Sequence, residues 1–159
     1  MLRDYPVRPI VGVGAVIFDR DRVVLVQRGR PPAYGEWSLP GGAVELGETL
    51  DEAIRREVYE ELRLKVEVVE LVAVLDRIFL DEQGQIWFHY VLLDFLCSRT
   101  AGKVQASSDA LAVAHVPLKA LAGYGLSRET KEVIRRAYQR LNGGSPLIHM
   151  ARTVTTKES

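Results

Sequence analysis

The stretch from Gly41 to Leu62 constrains this chain more than any other. A glycine-rich loop, Gly41-Gly42-Ala43-Val44-Glu45-Leu46-Gly47-Glu48, runs into Thr49-Leu50-Asp51-Glu52-Ala53-Ile54-Arg55-Arg56-Glu57-Val58-Tyr59-Glu60-Glu61-Leu62. Thr49 followed by Glu52 is a capping box, which predicts a helix starting at Leu50. Leu50, Ala53 or Ile54, Val58 and Leu62 then fall at helical spacing and give one face a core to pack on. The other face gathers Glu57, Glu60 and Glu61. Like charges three or four residues apart oppose a helix by about 0.2–0.5 kcal/mol per pair. They also sit at the negative end of the helix dipole. Such a face needs a counter-charge. Arg55, Arg56 and Arg63 can supply it as a salt-bridged solvent surface. A hard divalent cation can supply it too, since clustered carboxylates and a backbone carbonyl suit Mg²⁺. Helix physics alone leaves both readings open.

The spacing favours the second. Gly42, Glu48, Arg56-Glu57-Val58, Glu60-Glu61 and Leu64, with the lead-in Trp37-Ser38-Leu39-Pro40-Gly41-Gly42, resemble the signature box of the Nudix hydrolases. Every charged position of that box is filled. One position departs: the family usually has Gly where Arg63 stands. That Gly would end the helix in the left-handed region, which costs other residues roughly 1–2 kcal/mol. The resemblance implies an α/β fold, an α/β/α sandwich with a mixed β-sheet. It implies Mg²⁺, or Mn²⁺ in its place, held by Glu57, Glu60 and Glu61 with the Gly42 carbonyl. Glu57 or Glu60 would take the proton of the attacking water. Glu48 and Arg56 would form a structural pair tying loop to helix, and Arg28 would face a substrate phosphate. Family members often carry an extra acid near the loop that holds Asp109; the alternative for Asp109 is a turn or cap.

At 159 residues the chain has the size of one domain, read as residues 1–144 with an extended N-terminal segment, followed by a tail over 145–159. The formal net charge is zero, which argues against nucleic acid as the main partner. Met1-Leu2-Arg3-Asp4-Tyr5-Pro6 lacks the apolar core of a signal peptide, and no run is long enough to span a bilayer. The single Cys97 excludes an internal disulfide and reads as a small buried hydrophobe. Together these lead us to expect a cytoplasmic protein without membrane contact.

Ile10–Phe18 and Val23–Gln27 read as strands joined by a turn at Asp19-Arg20-Asp21-Arg22. The Gly and Pro content of 28–35 marks a loop. Trp37 reads as core, or as a platform for a base. Val66–Leu75, continued by Ile78-Phe79-Leu80, and Gln85–Leu96 are long strands about a turn at Asp81-Glu82-Gln83-Gly84. His89 reads as structural. Ala110–Val116 is a short strand, Pro117 starts a helical turn, and Ser127 caps a helix with Val133, Ile134, Ala137, Tyr138 and Leu141 on one stripe, stopped at Asn142-Gly143-Gly144. The tail has little to bury and is read as disordered or packed on a neighbour.

The function the resemblance implies is hydrolysis of the pyrophosphate bond in a nucleoside diphosphate linked to another moiety. Arg8-Pro9-Ile10-Val11-Gly12-Val13-Gly14 and His89-Tyr90-Val91 look most like the ADP-ribose pyrophosphatase-like branch, which would give AMP and ribose 5-phosphate. Against it, such enzymes often show a proline downstream of the box, where this chain has Ile78-Phe79-Leu80. The alternatives are a house-cleaning nucleoside triphosphate pyrophosphatase acting on oxidised or surplus dNTPs, and a nucleotide sensor without chemistry. Sensors often lose box carboxylates, which this chain retains. Related enzymes often pair through sheet edges and the N-terminal segment, so a homodimer is a further implication.

Overall fold

The computed structural model describes residues 3–106, 110–144 and 149–157. β1 (Ile10–Asp19) and β2 (Arg22–Arg28) form the expected hairpin, with Phe18 opposite Val23 and Asp19 opposite Arg22. β3 (Trp37–Ser38) and β4 (Gly41–Ala43) are too short to carry a period-two pattern, and sequence reasoning placed no strand there. α1 (Leu50–Leu62) starts where the capping box puts it: Glu52 N–H donates to Thr49 Oγ1 at 3.2 Å, and Thr49 N–H to Glu52 Oε2 at 2.8 Å. β5 (Lys65–Leu80) and β6 (Ile86–Ala101) are 16 residues each and make the longest pairing in the fold. β7 (Ala110–Pro117) leads into a 3₁₀ helix at Leu118–Tyr124. α2 (Arg128–Leu141) is capped by Ser127, whose Oγ accepts from Thr130 N–H at 3.1 Å.

The segment 145–159, read above as a tail, holds a strand. β8 (His149–Thr156) runs parallel to β5, from Ala73 opposite His149 to Leu80 opposite Thr156. A strand that joins an existing edge gains its hydrogen bonds from the partner and needs no strong apolar pattern of its own. Residues 145–148 and 158–159 lie outside the described residues.

The strands form one mixed sheet in the order β3-β2-β1-β6-β5-β8, with β4 also on β1 and β7 also on β2. β1 and β6 are parallel; β5 and β6 are antiparallel. The two helices cover opposite faces, an α/β/α arrangement. Val13, Ala15 and Ile17 of β1 point into a core with Ala53, Ile54, Val58 and Leu62 of α1. Val16 points the other way, into a core with Val133, Ile134 and Ala137 of α2.

That alternation gives the glycines of β1 a consequence. Side chains in a strand alternate faces, so Gly12 and Gly14 share the face of Val16. They lie opposite Leu92 and Asp94 of β6. A Cβ on Gly12 would overlap the Leu92 side chain, and one on Gly14 would overlap the Asp94 carboxyl. The two missing side chains leave a depression on the α2 face of the sheet.

α1 ends at Arg63, which itself adopts the left-handed conformation, φ 57°. Its N–H donates to Tyr59 O at 2.9 Å, and its guanidinium lies 5.3 Å from the Tyr59 ring centroid. The exit keeps its left-handed geometry without glycine; the cation–π contact, worth about 0.5–1 kcal/mol at an exposed site, offsets part of the strain.

Filling the depression should be costly. A Cβ on Gly14 would overlap Asp94 Oδ1, so the buried carboxyl would have to shift. Gly14→Ala is expected to lower stability by about 1–3 kcal/mol, read as a drop in the denaturant midpoint. An unchanged midpoint would show that the sheet face has slack.

Candidate active site

The loop and α1 are held together by one side chain. Arg56 Nε and Nη2 donate to Glu48 Oε2 and Oε1 at 2.6 and 2.9 Å, a bidentate pair. Nη2 also reaches Ala43 O at 3.0 Å, and Nη1 reaches Glu57 Oε1 at 2.8 Å and Glu60 Oε2 at 3.3 Å. A guanidinium has five N–H donors in a fixed fork, and these bonds account for all of them. The charge-assisted bonds to Arg56 hold the Glu48 carboxyl down at about 2 and push the Arg56 guanidinium up.

Glu57, Glu60 and Glu61 line one cavity of about 180 Å³ with Gly41, Gly42 and Arg56. Glu57 is 8% exposed; burial pushes its carboxyl up, against the pull of Arg56. The Glu60 side chain is 44% exposed. Glu61 keeps Oε2 shielded from solvent. Gly42 must be glycine for a steric reason: a Cβ there would overlap the Glu57 carboxylate. Val13 pairs with Gly42 between the bonds Ala15 N–H to Pro40 O and Val44 N–H to Val11 O. The alternation of an antiparallel ladder makes this a hydrogen-bonded pair, so the Gly42 carbonyl is turned to β1. A carbonyl oxygen has two lone pairs, and the second is the one a cation would use.

Three carboxylates on one wall, with backbone oxygens beside them, are a hard donor set that fits a divalent cation of the Mg²⁺ type. As placed, no three His, Cys, Asp or Glu side chains among the described residues converge into a coordination shell. Glu57 and Glu60 instead lean on Arg56.

Basic side chains line the cavity as well: Arg3, Arg28 and Arg30. Arg28 leaves the end of β2 and is fixed by donating from Nε to Pro32 O at 2.9 Å. Burial lowers its guanidinium from its ordinary value, opposed by Tyr90 and Glu61. Asp109 lies outside the described residues.

A second cavity of about 320 Å³ opens from the first and shares Arg3, Arg28, Ser38, Leu39, Gly41 and Gly42 with it. It is the depression left by Gly12 and Gly14, walled by Trp37, Phe79, Tyr90 and Leu92, with Arg77 and Asp94 on its floor. Trp37 is half-buried against Tyr124, with ring centroids 5.4 Å apart, so it is core on one side and cavity wall on the other. His89 lines neither cavity. Sequence reasoning did not single out Arg77, Asp94 or Arg3. Asp94 carried a signal: it is the only acid in the apolar strand β6.

A glycine loop, an acidic helix face and basic side chains thus line one cavity, on a mixed sheet between helices. The NUDIX domain family model matches residues 8–141, and the chain belongs to that family. It is 34% identical over 102 residues to the ADP-ribose pyrophosphatase of Methanocaldococcus jannaschii, covering 64% of this chain and 58% of that protein. It is 38% identical over 92 residues to the 8-oxo-dGDP phosphatase NUDT18 of Mus musculus, covering 58% and 26%. This chain thus spans less than two thirds of the length of these curated relatives. Among solved structures, a MutT NUDIX hydrolase from Burkholderia pseudomallei superposes with a TM-score of 0.70 at 31% identity, over 81% of this chain and 98% of that one.

Burial pushes the Asp94 carboxyl up to about 6, partly opposed by Arg77. A raised carboxyl binds its proton more tightly in the folded state, so stability falls as pH rises from about 4 to about 6. The displacement corresponds to about 3 kcal/mol. Asp94→Asn is therefore expected to match wild type at pH 4 and to exceed it by about that amount at pH 8. Denaturant unfolding at both values checks this; equal stabilities at pH 8 would contradict it.

Proposed function

We propose that this chain is a divalent-cation-dependent hydrolase of the pyrophosphate bond in a nucleoside diphosphate derivative, with ADP-ribose as the first substrate and AMP and ribose 5-phosphate as products. The observation that carries the reading is the make-up of one cavity: Glu57, Glu60 and Glu61 line it together with Arg3, Arg28 and Arg30. A pyrophosphate needs its charge neutralised and a water aimed in line at phosphorus. Glu57, Glu60 and Glu61, with the Gly42 carbonyl, would hold Mg²⁺, or Mn²⁺ in its place. When bound, the cation neutralises the phosphate oxygens and lowers the pKa of a bound water.

The chain's own groups do the rest. Arg28, tied to the Pro32 carbonyl, presents its remaining donors to the phosphates. Arg56 and Glu48 fix the loop against α1, so that the carboxylates and the Gly41-Gly42 backbone keep one spacing. A carboxylate that is not committed to the cation takes the proton of the attacking water, and Glu60 or Glu57 fills that role. As water bonds to phosphorus, the bridging P–O bond breaks and its electron pair leaves with the departing phosphate. The second cavity receives the nucleoside. The name of the M. jannaschii relative favours ADP-ribose.

A second reading has its own support. The mouse relative is named an 8-oxo-dGDP phosphatase, which favours oxidised or surplus nucleotides, dNTPs among them. Incubation with Mg²⁺ and ADP-ribose, then with a dNTP mixture, separates the two by chromatography. AMP and ribose 5-phosphate from the first, abolished by EDTA, is the expected result. Monophosphates from the dNTPs alone would move the chain to the second reading, and no turnover of either would overturn both. Glu61→Gln is expected to lower kcat by at least about 100-fold with an unchanged melting curve; wild-type turnover would remove Glu61 from the site.

A further inference from the structure

The second cavity carries two polar groups that the proposed hydrolysis does not use. Asp94 is 5% exposed and lines the cavity, yet among the described residues it has no hydrogen-bond partner. Arg77 anchors α2 by donating from Nη2 to Ser127 Oγ at 3.2 Å and Thr130 Oγ1 at 2.9 Å, while its buried Nε–H has no partner. No hydrogen bond joins Arg77 to Asp94. A buried polar group left unsatisfied costs about 1–3 kcal/mol, and more when charged. Arg77 Nε is closed off from solvent, whereas Asp94 lines the cavity and offers it an acceptor with no partner among the described residues. Asp94 keeps this position because Gly14 gives up its side chain to it.

The walls say what kind of group would satisfy it. Trp37, Phe79 and Tyr90 give the cavity aromatic sides, and Leu75 and Leu92 extend the apolar surface. A flat ring with a polar edge fits such a space, with its faces against the walls and its edge on the floor. The cavity shares Arg3 and Arg28 with the first, so the ring belongs to a molecule that also carries phosphate.

We propose that Asp94 reads the amino-bearing edge of a purine, its carboxylate accepting from the exocyclic amino group as adenine presents it. Hypoxanthine inverts that position: a carbonyl oxygen faces the carboxylate. Discrimination then comes from leaving buried groups unpaired or opposed, the most effective way for a site to reject an isosteric ligand. The inference rests on the proposed function only for placing the phosphates. It is tested by binding, so absent turnover would not decide it.

The probes are AMP and IMP, which differ only at that edge, titrated calorimetrically into the protein at pH 7.5. Wild type is expected to prefer AMP by about 10–100-fold, the size of losing a charged hydrogen bond in a buried site. Asp94→Asn keeps the shape of the side chain and can turn an amide donor to the hypoxanthine carbonyl. It is expected to weaken AMP about tenfold and bring IMP to within about threefold of it, with folding checked by a melting curve. Equal wild-type affinities for AMP and IMP would overturn the proposal without any variant. An Asp94→Asn protein that melts cooperatively and keeps the full preference for AMP would overturn it as well.

Discussion

The Arg56 guanidinium is the interaction on which the site depends. Its five donors meet Glu48, Ala43, Glu57 and Glu60, so a single planar group sets the distance between loop, strand and helix. Lysine, with a point charge on a flexible stem, could not hold these partners in one geometry. The arrangement also resolves the strain in α1. Three acids at the negative end of a helix dipole are unfavourable there, and the helix has no basic residue in its last turn. Arg56 takes part of that charge from within the helix. Glu48 engages it bidentately, while Glu57 and Glu60 each receive one bond from its Nη1.

Around this anchor, the sheet separates two tasks by the alternation of β1. One set of side chains, Val13, Ala15 and Ile17, fills the core beneath α1 and so supports the helix that bears the carboxylates. The other set is mostly absent: Gly12 and Gly14 leave open the space that α2 would otherwise seal. The same strand thus carries a packed surface on one side and a cavity floor on the other. Asp94 is the cost of that floor, a carboxyl pushed up by burial and met by no protein donor among the described residues.

Much of this was legible in the sequence, and the reason is local physics. The capping box at Thr49, the acids of α1 and the Ser127 cap are encoded within a few residues, so helix starts and the carboxylate face could be read directly. The long hairpin carried runs rich in β-branched, aromatic and Leu residues. What escaped reading depends on partners distant in the chain. β8 joins β5 from more than 60 positions away along the chain, and its own residues barely signal a strand. β4 exists because β1 pairs with it. Asp94 looks like an ordinary interruption of an apolar run until the register places it opposite Gly14. Arg63, where glycine was expected, shows the converse: the backbone demand was read correctly, and a different residue meets it.

The central claim is that Glu57, Glu60 and Glu61 jointly hold a divalent cation at the end of α1. The most direct test is a Mn²⁺ titration followed by electron paramagnetic resonance, comparing wild type with a variant in which all three are glutamine. The account predicts saturable Mn²⁺ binding by wild type, competed by Mg²⁺, and loss of that binding in the triple variant with its circular dichroism unchanged. A folded triple variant that binds Mn²⁺ as wild type does would contradict it.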